Sequence, residues 1–571
     1  MGTLLPRSRL HWASVCVLWL LFLAYVVVWV RGNAEVLLDP MVQADDARTI
    51  LFPFHRYGEE HALAKDPVAA EMLSYTPPVV RALYAALVPW TGLYAAPKVV
   101  QGLAILMLLW AGWVLLRSRR AGLGAAVVLV FLFLHTTYCV SKIAGGLPRS
   151  FAFPLVALWM AGALAGRERV RVASILLGAA IYPVAMVILL AAEGLFALRD
   201  GVRPTRALVG RLARYGLVVA TCALLLGPFL VGDVGGDRVH TAAEASSMPV
   251  FGREGRLKLM PLGADAHKFT TYMVAPFEST GRFPSSRFNE LYRTLGAAGP
   301  LVLLAGLLLL SWTRIAPPPA AAATLWIGSI VIYAAAIVLA FRLYSPDRYP
   351  WYGGTTSALA LALGAIGLLA PRLPRERRAI VRNFAAAAFV GGLWLFVGDG
   401  IVPRNGSSLD GRTHASLYAF ARVLPVDARI ASHPLDGDDL PFWAGRATLG
   451  GYETLQPWYV DSWRRQRLRT MGLLGALYAI DREEVLRFAA QNRVTHLLLR
   501  HDRYGDEYRR RAQLFEPFGT ILERMLADRE RDQLALAHVP PEAVVYRDDE
   551  LSLVDVALLR KAWTPSPGAG G

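Results

Sequence analysis

The run VASILLGAAIYPVAMVILLAAEGLFAL, residues 172–198, decides how this chain folds. Arginines flank it on both sides: Arg167, Arg169 and Arg171 before it, then Arg199, Arg203, Arg206, Arg211 and Arg214. Cytoplasmic connectors of membrane proteins carry the excess of Lys and Arg, so a single crossing would strand one cluster on the wrong side. Tyr182-Pro183 lies near the midpoint, where proline removes a helical hydrogen bond and clashes with the preceding turn. The pattern predicts two short helices folded into a hairpin that returns to its starting side. One kinked span is the alternative. Broken helices of this kind persist only when packed in protein or lining a cavity.

Outward from the hairpin, apolar runs at 12–30, 97–116, 121–140, 150–166, 215–231, 297–313, 322–341, 353–370 and 383–402 approach the ~20 residues that a bilayer requires. Arg117, Arg119 and Arg120 mark one cytoplasmic connector, and Arg372, Arg375, Arg377, Arg378 and Arg382 another. Counting the hairpin as two passes gives about eleven crossings, with the N-terminus cytoplasmic and the C-terminal region on the far side. The first run is read as an uncleaved span; it is long for a signal sequence and no A-x-A site follows it.

Composition agrees. Hydrophobic residues make up 55% of 571 and the mean hydropathy is +0.38, which places the chain among helical membrane proteins. The formal charge of +16 does not point to nucleic acid, because many of the arginines occupy short connectors where they set topology. Lysine is confined to positions 65, 98, 142, 258, 268 and 561; with abundant Ala and Gly, this suggests a bacterium with a GC-rich genome. Cys16, Cys139 and Cys222 all fall in or beside apolar runs and read as small core residues.

The expected fold is mainly α: a polytopic helical membrane bundle over residues 1–402, with outer loops at 31–96 and 232–296. A soluble extracytoplasmic α/β domain follows at 403–560, then a flexible tail at 561–571. In the soluble part, 428–431 and 494–499 read as strands, 481–491 as an amphipathic helix, and 544–546 with 551–556 as a hairpin turning on Arg547-Asp548-Asp549-Glu550. The first outer loop carries Asp39, Asp45, Asp46, His55, Glu59, Glu60 and His61, with short surface helices expected at 45–50 and 68–73 and a helix break at Thr76-Pro77-Pro78.

Asp45 and Asp46 are the candidate catalytic residues. A carboxylate on the outer rim of a membrane cavity can deprotonate an acceptor hydroxyl, or hold a divalent cation that bridges phosphate oxygens. On a helix, neighbours point about 100° apart, so one of the two faces the cavity and the other caps or pairs, with Arg48 as its partner. An acidic pair at a helix start with a local salt bridge is the plain alternative. Lys142, Arg149 and Arg348 each end a span on the outer side, where they can clamp a lipid phosphate or simply meet head groups. His55 and Tyr349 lie beside these groups in sequence and complete the candidate binding set. His135 and Glu193 are ionisable within spans, and Glu193 lies near the cytoplasmic end. In the second outer loop, Arg253 and Arg256 are flanked by glycines and suit a turn approaching a sugar or phosphate. No spacing there is diagnostic of a metal, and P-loop, G-x-S-x-G, H-E-x-x-H and G-x-G-x-x-G motifs are absent.

The layout resembles the GT-C superfamily, polytopic glycosyltransferases that use polyprenyl-phosphate-linked sugars, such as the protein O-mannosyltransferases and lipid A aminoarabinose transferases. The resemblance rests on Gln43-Ala44-Asp45-Asp46-Ala47-Arg48, on Leu147-Pro148-Arg149-Ser150-Phe151-Ala152-Phe153-Pro154, and on Arg348-Tyr349-Pro350, which departs from an Arg-Tyr-x-x-Pro pattern in its spacing. It covers roughly residues 10–400 by organisation. It implies that Asp45 or Asp46 activates the acceptor or associates with a metal, while Arg149 or Arg348 stabilises the departing phosphate. The implied partners are membrane lipids, a polyprenyl-phosphate sugar donor, and a glycan, lipid or protein acceptor at a bacterial inner membrane. A non-catalytic carrier-binding component of envelope polysaccharide assembly or export is the alternative. A transporter fits less well, since the two halves show no repeat.

Overall fold

The computed structural model describes residues 8–58, 60–118, 121–198, 205–232, 237–252, 254–257, 317–343, 346, 348–354, 356, 373–394, 408–505, 507–508, 514–527 and 529–564. The expected spans at 297–313 and 353–370, the outer end of the one at 383–402, and most of the second outer loop lie outside these residues.

The chain opens with α1 (Arg9–Leu38), whose Ser8 caps the first turn. The first outer loop contains strand β1 (Val42–Ala44), α2 (Ala47–Ile50), a 3-10 turn at Phe52–Tyr57, α3 (Pro67–Ser74) and α4 (Pro78–Thr91). Helices α3 and α4 part at Thr76-Pro77, as the prolines require. Then come α5 (Ala96–Leu116), α6 (Gly122–His135), α7 (Thr137–Ile143), a 3-10 turn at Pro148–Phe151 and α8 (Ala152–Ala165). The expected third span is therefore interrupted. It breaks at Thr136, whose hydroxyl bonds back to the Leu132 carbonyl, and His135 ends the helix stacked on Phe131 and edge-on to Tyr25.

The decisive run forms two antiparallel helices, α9 (Glu168–Ile181) and α10 (Pro183–Leu198), that turn at Tyr182. Arg171 near the start of α9 makes a bidentate ion pair with Glu193 near the end of α10, at 2.9–3.2 Å. The Trp159 indole N–H of α8 donates to the same carboxylate at 2.9 Å. The charge argument thus led to the right shape, but Glu193 is central to it rather than incidental. At the crossing of α9 and α10 the backbones nearly touch, a Cβ on Gly178 falling 3.1 Å from the Met186 nitrogen. Such small residues let membrane helices pack by close contact, lipid offering little hydrophobic gain.

Helix α8 lies at the centre, buried from Ala152 to Leu164, against α5 and α9. Beyond it come α11 (Arg206–Gly232), packed on α9 and α10, the short α12 (Ala242–Ser247) of the second outer loop, α13 (Pro317–Leu339), packed on α10 and α8, and α14 (Arg375–Gly392), which runs along α1 and α6. Helix α14 begins eight residues before the expected span, its first turns bearing arginines. Among the described residues, Arg9–Leu38, Ala96–Leu116, Pro148–Ala165, Arg206–Gly227 and Ala321–Leu339 are long and apolar enough to cross a bilayer. The chain is a membrane protein.

The C-terminal unit starts with β2 (Ser408–Asp410), which pairs antiparallel with β1 of the first outer loop. It continues with α15 (Ala415–Val423), β3 (Arg429–Ser432), α16 (Leu440–Ala444), β4 (Ala447–Thr448), α17 (Val460–Leu477) and α18 (Arg482–Asn492). Strand β5 (His496–Arg500), α19 (Phe518–Ala527), β6 (Val544–Arg547), β7 (Leu551–Asp555) and α20 (Val556–Trp563) complete it. The sheet order is β4-β3-β5-β7-β6, with β3 parallel to β4 and β5 and the β6–β7 hairpin antiparallel. Helix α20 takes in residues 561–563, the first part of the expected tail. Its own core includes Trp463, Phe515 and Phe518.

Because the Arg171–Glu193 pair is only 11% exposed at each side chain, Glu193→Leu should leave an uncompensated cation and lower stability by roughly 3–5 kcal/mol. The double variant R171M/E193L should recover most of that loss. Thermal unfolding in detergent tests this; an unchanged midpoint for the single variant would show that the pair does not fasten the hairpin.

Candidate functional site

The acidic pair sits where β1 gives way to α2. Gln43 anchors the strand, its amide N–H groups donating to the carbonyls of Pro40 and Tyr94 at 2.7 and 2.8 Å. The next two residues are thereby presented at a fixed edge. Asp46 occupies the position before α2 but its side chain makes no capping bond there. Its carboxylate instead pairs with Arg149, which stands in the turn Pro148–Phe151. Asp45 accepts from the Arg48 guanidinium at 2.7 Å, as an i,i+3 pair. The two carboxylates therefore diverge, one toward the bundle and one toward the C-terminal unit.

Arg149 reaches Asp46 because the loop before it lies against its neighbours at backbone distance. Gly145 and Gly146 both have positive φ, 95° and 66°, a region that glycine enters at little cost. A Cβ on Gly145 would fall 2.4 Å from that of Ala44, and one on Gly146 would fall 2.4 Å from the Pro97 carbonyl oxygen. The Gly145 N–H donates to Gln101 at 2.9 Å, and Tyr84 donates to the Gly146 carbonyl at 2.9 Å.

A second cationic group forms around Trp351. The Arg348 guanidinium lies 4.4 Å from the indole centroid and the Lys142 ammonium 5.2 Å, both within cation–π range. Tyr349 is buried and its hydroxyl donates to the Leu343 carbonyl. Tyr352 meets Phe153 edge-on at 5.1 Å and Tyr182, at the hairpin turn, at 5.8 Å. Phe153 is four residues from Arg149 and Tyr352 four from Arg348, so this ring contact ties the two arginine-bearing turns together. Trp351 was not singled out in the sequence, and Tyr182 was named only for the hairpin break; an aromatic beside Arg348 was the available signal.

The C-terminal unit supplies acidic groups that sequence reading missed. Arg48 binds Asp439 at 3.0 Å as well as Asp45, and Glu453 lies 4.0 Å away. Although burial works against its charge, Asp439 and Asp45 hold the Arg48 guanidinium above its ordinary value. Arg256, expected to approach a ligand from a turn, is instead buried, paired with Glu453 at 2.7 Å and stacked on Tyr452. Asp438 is enclosed behind this cluster and accepts from the Glu453 N–H at 3.0 Å. Burial, reinforced by the charge of Glu453, pushes its carboxyl up to about 8. In the stretch SHPLDGDD, residues 432–439, the paired acids after a strand were the only advance sign.

His55 takes a different place from the other candidates. Its Nε2–H donates to the Phe442 carbonyl at 2.7 Å, and its ring lies against Gly445 beneath the C-terminal unit. Burial lowers its pKa to about 4, so it is neutral at pH 7. The structure brings Asp46 to Arg149, and Lys142 to Arg348, but seats His55 in the interface between units.

The donors near the acidic pair do not suit a divalent cation. Each carboxylate already faces a guanidinium, and among the described residues no three His, Cys, Asp or Glu side chains are arranged to hold a metal. A hard cation would have to displace both arginines.

No protein-family profile matches the chain, and no curated protein matches it. Among solved structures it is similar to the Archaeoglobus fulgidus oligosaccharyltransferase in complex with zinc and sulfate, at a TM-score of 0.46 and 13% identity over 88% of this chain and 70% of that one. It is also similar to ArnT from Cupriavidus metallidurans bound to undecaprenyl phosphate, at 0.46 and 13% over 96% and 98%. Both neighbours are GT-C membrane glycosyltransferases.

The state of Asp438 has a measurable effect. Its folded value, about 8, lies above the ordinary 3.8, so the unfolded chain releases this proton at lower pH than the folded one. Stability therefore falls as pH rises through that window, by on the order of 1 kcal/mol for each pH unit. From pH 7.5, a unit above the 6.5 at which His55 titrates in the unfolded chain, to pH 8.5, the unfolding midpoint should decline in the wild type and decline less in Asp438→Asn. Equal slopes would place the proton elsewhere.

Proposed function

We propose that this protein is a GT-C-type glycosyltransferase of the membrane. In this reading it moves a sugar from a polyprenyl-phosphate-type carrier to an envelope acceptor on the outer face of a bacterial inner membrane. The N-terminus is cytoplasmic, about eleven segments cross the bilayer, and the C-terminal unit stands in the periplasm. The observation that carries the reading is the Asp46–Arg149 ion pair at the rim of the bundle, with Lys142 and Arg348 gathered on Trp351 close by.

The chemistry follows from the charges. A lipid phosphate, like a carboxylate, can take a guanidinium in a bidentate pair, so an incoming phosphate competes with Asp46 for Arg149. Arrival of the phosphate at Arg149 loosens that side chain from Asp46 and leaves the carboxylate to accept a proton. The acceptor hydroxyl or amine gives its proton to Asp46 and attacks the anomeric carbon from the face opposite the carrier. The bond from that carbon to the phosphate oxygen breaks, and its electron pair leaves with the lipid phosphate. Arg149, together with Arg348 and Lys142, stabilises the charge that develops there. Asp45 holds Arg48 against the C-terminal unit and is a positioning residue.

Asp46→Asn should abolish product formation by about 10²–10⁴-fold, the range for loss of a positioned general base. Asp45→Asn should cost less, and Arg149→Ala and Arg348→Ala should weaken carrier binding as well. The readout is glycan product at matched expression, with the lipid-linked species that accumulates in a deletion strain as the substrate. Normal product from Asp46→Asn would overturn the transferase reading and favour a non-catalytic, carrier-binding component of polysaccharide assembly or export.

A further inference from the structure

Helix α17 carries a cationic face that neither topology nor the proposed chemistry uses. Its sequence is VDSWRRQRLRTMGLLGAL. Ser462, Trp463, Gln466, Thr470, Leu473 and Leu474 are buried. At 100° per residue these fall on one arc, and Arg464, Arg465, Arg467 and Leu468 fall on the opposite one. All four are exposed, Arg464 by 73% at the side chain and Leu468 by 64%. Arg464 pairs with Asp461 at 3.2 Å. Among the described residues Arg465 and Arg467 have no acidic partner. Arg469, at the edge of this face, is held below its ordinary value by burial, with Arg429 and Arg465 nearby adding to the effect.

Unpaired like charges on one helix face repel, each close pair costing a few tenths of a kcal/mol. The arginines of the membrane bundle mark cytoplasmic connectors. Those of α17 stand in the C-terminal unit, outside the membrane on the proposed topology, where that rule gives them no role. The face also turns away from the membrane domain. Ser462 and Gln466, on the buried arc, bond Glu71 of α3, an outer-loop helix. Through the same arc, Gln466 accepts from the Gln456 N–H at 2.9 Å, and the Gln456 side chain donates to the Glu453 carbonyl at 2.8 Å. Two hydrogen bonds thus join the buried arc, opposite the cationic face, to the residue that pairs with Arg256 beside Arg48.

We infer that this face binds an anionic polymer, a glycan chain bearing carboxylates or phosphates. The inference rests on the transferase reading for the identity of the polymer as acceptor, and on the charge pattern alone for binding. Closely spaced guanidinium groups suit successive anionic groups on an extended chain. The single exposed Leu468 among them offers an apolar stop for a sugar-ring face.

The test uses the full-length protein in nanodiscs of zwitterionic lipid. The probes are polygalacturonate oligosaccharides and neutral dextran of equal length. The wild type should bind the polygalacturonate and ignore dextran. The variant R464Q/R465Q/R467Q should bind about tenfold more weakly, and raised salt should suppress binding by screening. R467Q alone should fall between them with an unchanged unfolding midpoint, which separates lost charge from lost fold. Binding is read without sugar donor or turnover, so this result is independent of whether the protein is a transferase. Equal binding by the triple variant, or equal binding of dextran, would overturn the inference. Loss of polymer binding on adding anionic lipid to the discs would overturn it too, and would assign the face to the membrane surface.

Discussion

Three residues of backbone pairing organise the outer half of this molecule. Val42, Gln43 and Ala44 lie antiparallel to Asp410, Leu409 and Ser408, so the first outer loop and the start of the C-terminal unit form one small sheet. A two-stranded pairing of this length is marginal by itself. Here it is enclosed: all three β1 residues are buried, and the Lys98 ammonium caps the Val36 and Val42 carbonyls from α5. The acidic pair follows at once, with no slack in which its direction could wander. One carboxylate meets the bundle through Arg149, and the other meets the C-terminal unit through Arg48.

That arrangement gives the resting site a definite electrical character. Partly buried ion pairs contribute little net stability, because desolvation offsets attraction, yet removing one partner is costly. The pairs here are 13–45% exposed at the side chains of Asp45, Asp46, Arg48 and Arg149, which leaves them within reach of an incoming anion. A ligand that brings its own negative charge can take over a guanidinium without stranding it. A neutral ligand has no such exchange to offer.

Five helices long and apolar enough to cross a bilayer were legible among the described residues from run length alone. The hairpin at residues 172–198 followed from charge parity and one proline, and the β6–β7 turn from four polar residues between apolar strands. The break at Thr136 escaped, because the run through it is uniformly apolar and the interruption comes from a hydroxyl bond and ring stacking. Asp46 and Arg149 could be named, but their meeting depends on Gly145 and Gly146, whose role needs the third dimension. Glu193 was passed over for its depth, although Arg171 stood 22 residues earlier at the matching level. The acids at 438, 439 and 453 belong to a separate unit whose docking no local pattern reports.

The glycine contacts bear on access. Where Gly145 lies against Ala44 and Gly146 against Pro97, the wall beside the acidic pair is closed to within the thickness of a peptide backbone. Nothing as wide as an isoprenoid tail could slip through on that flank. On the proposed reading, a carrier bound for Arg149 would have to enter by another flank.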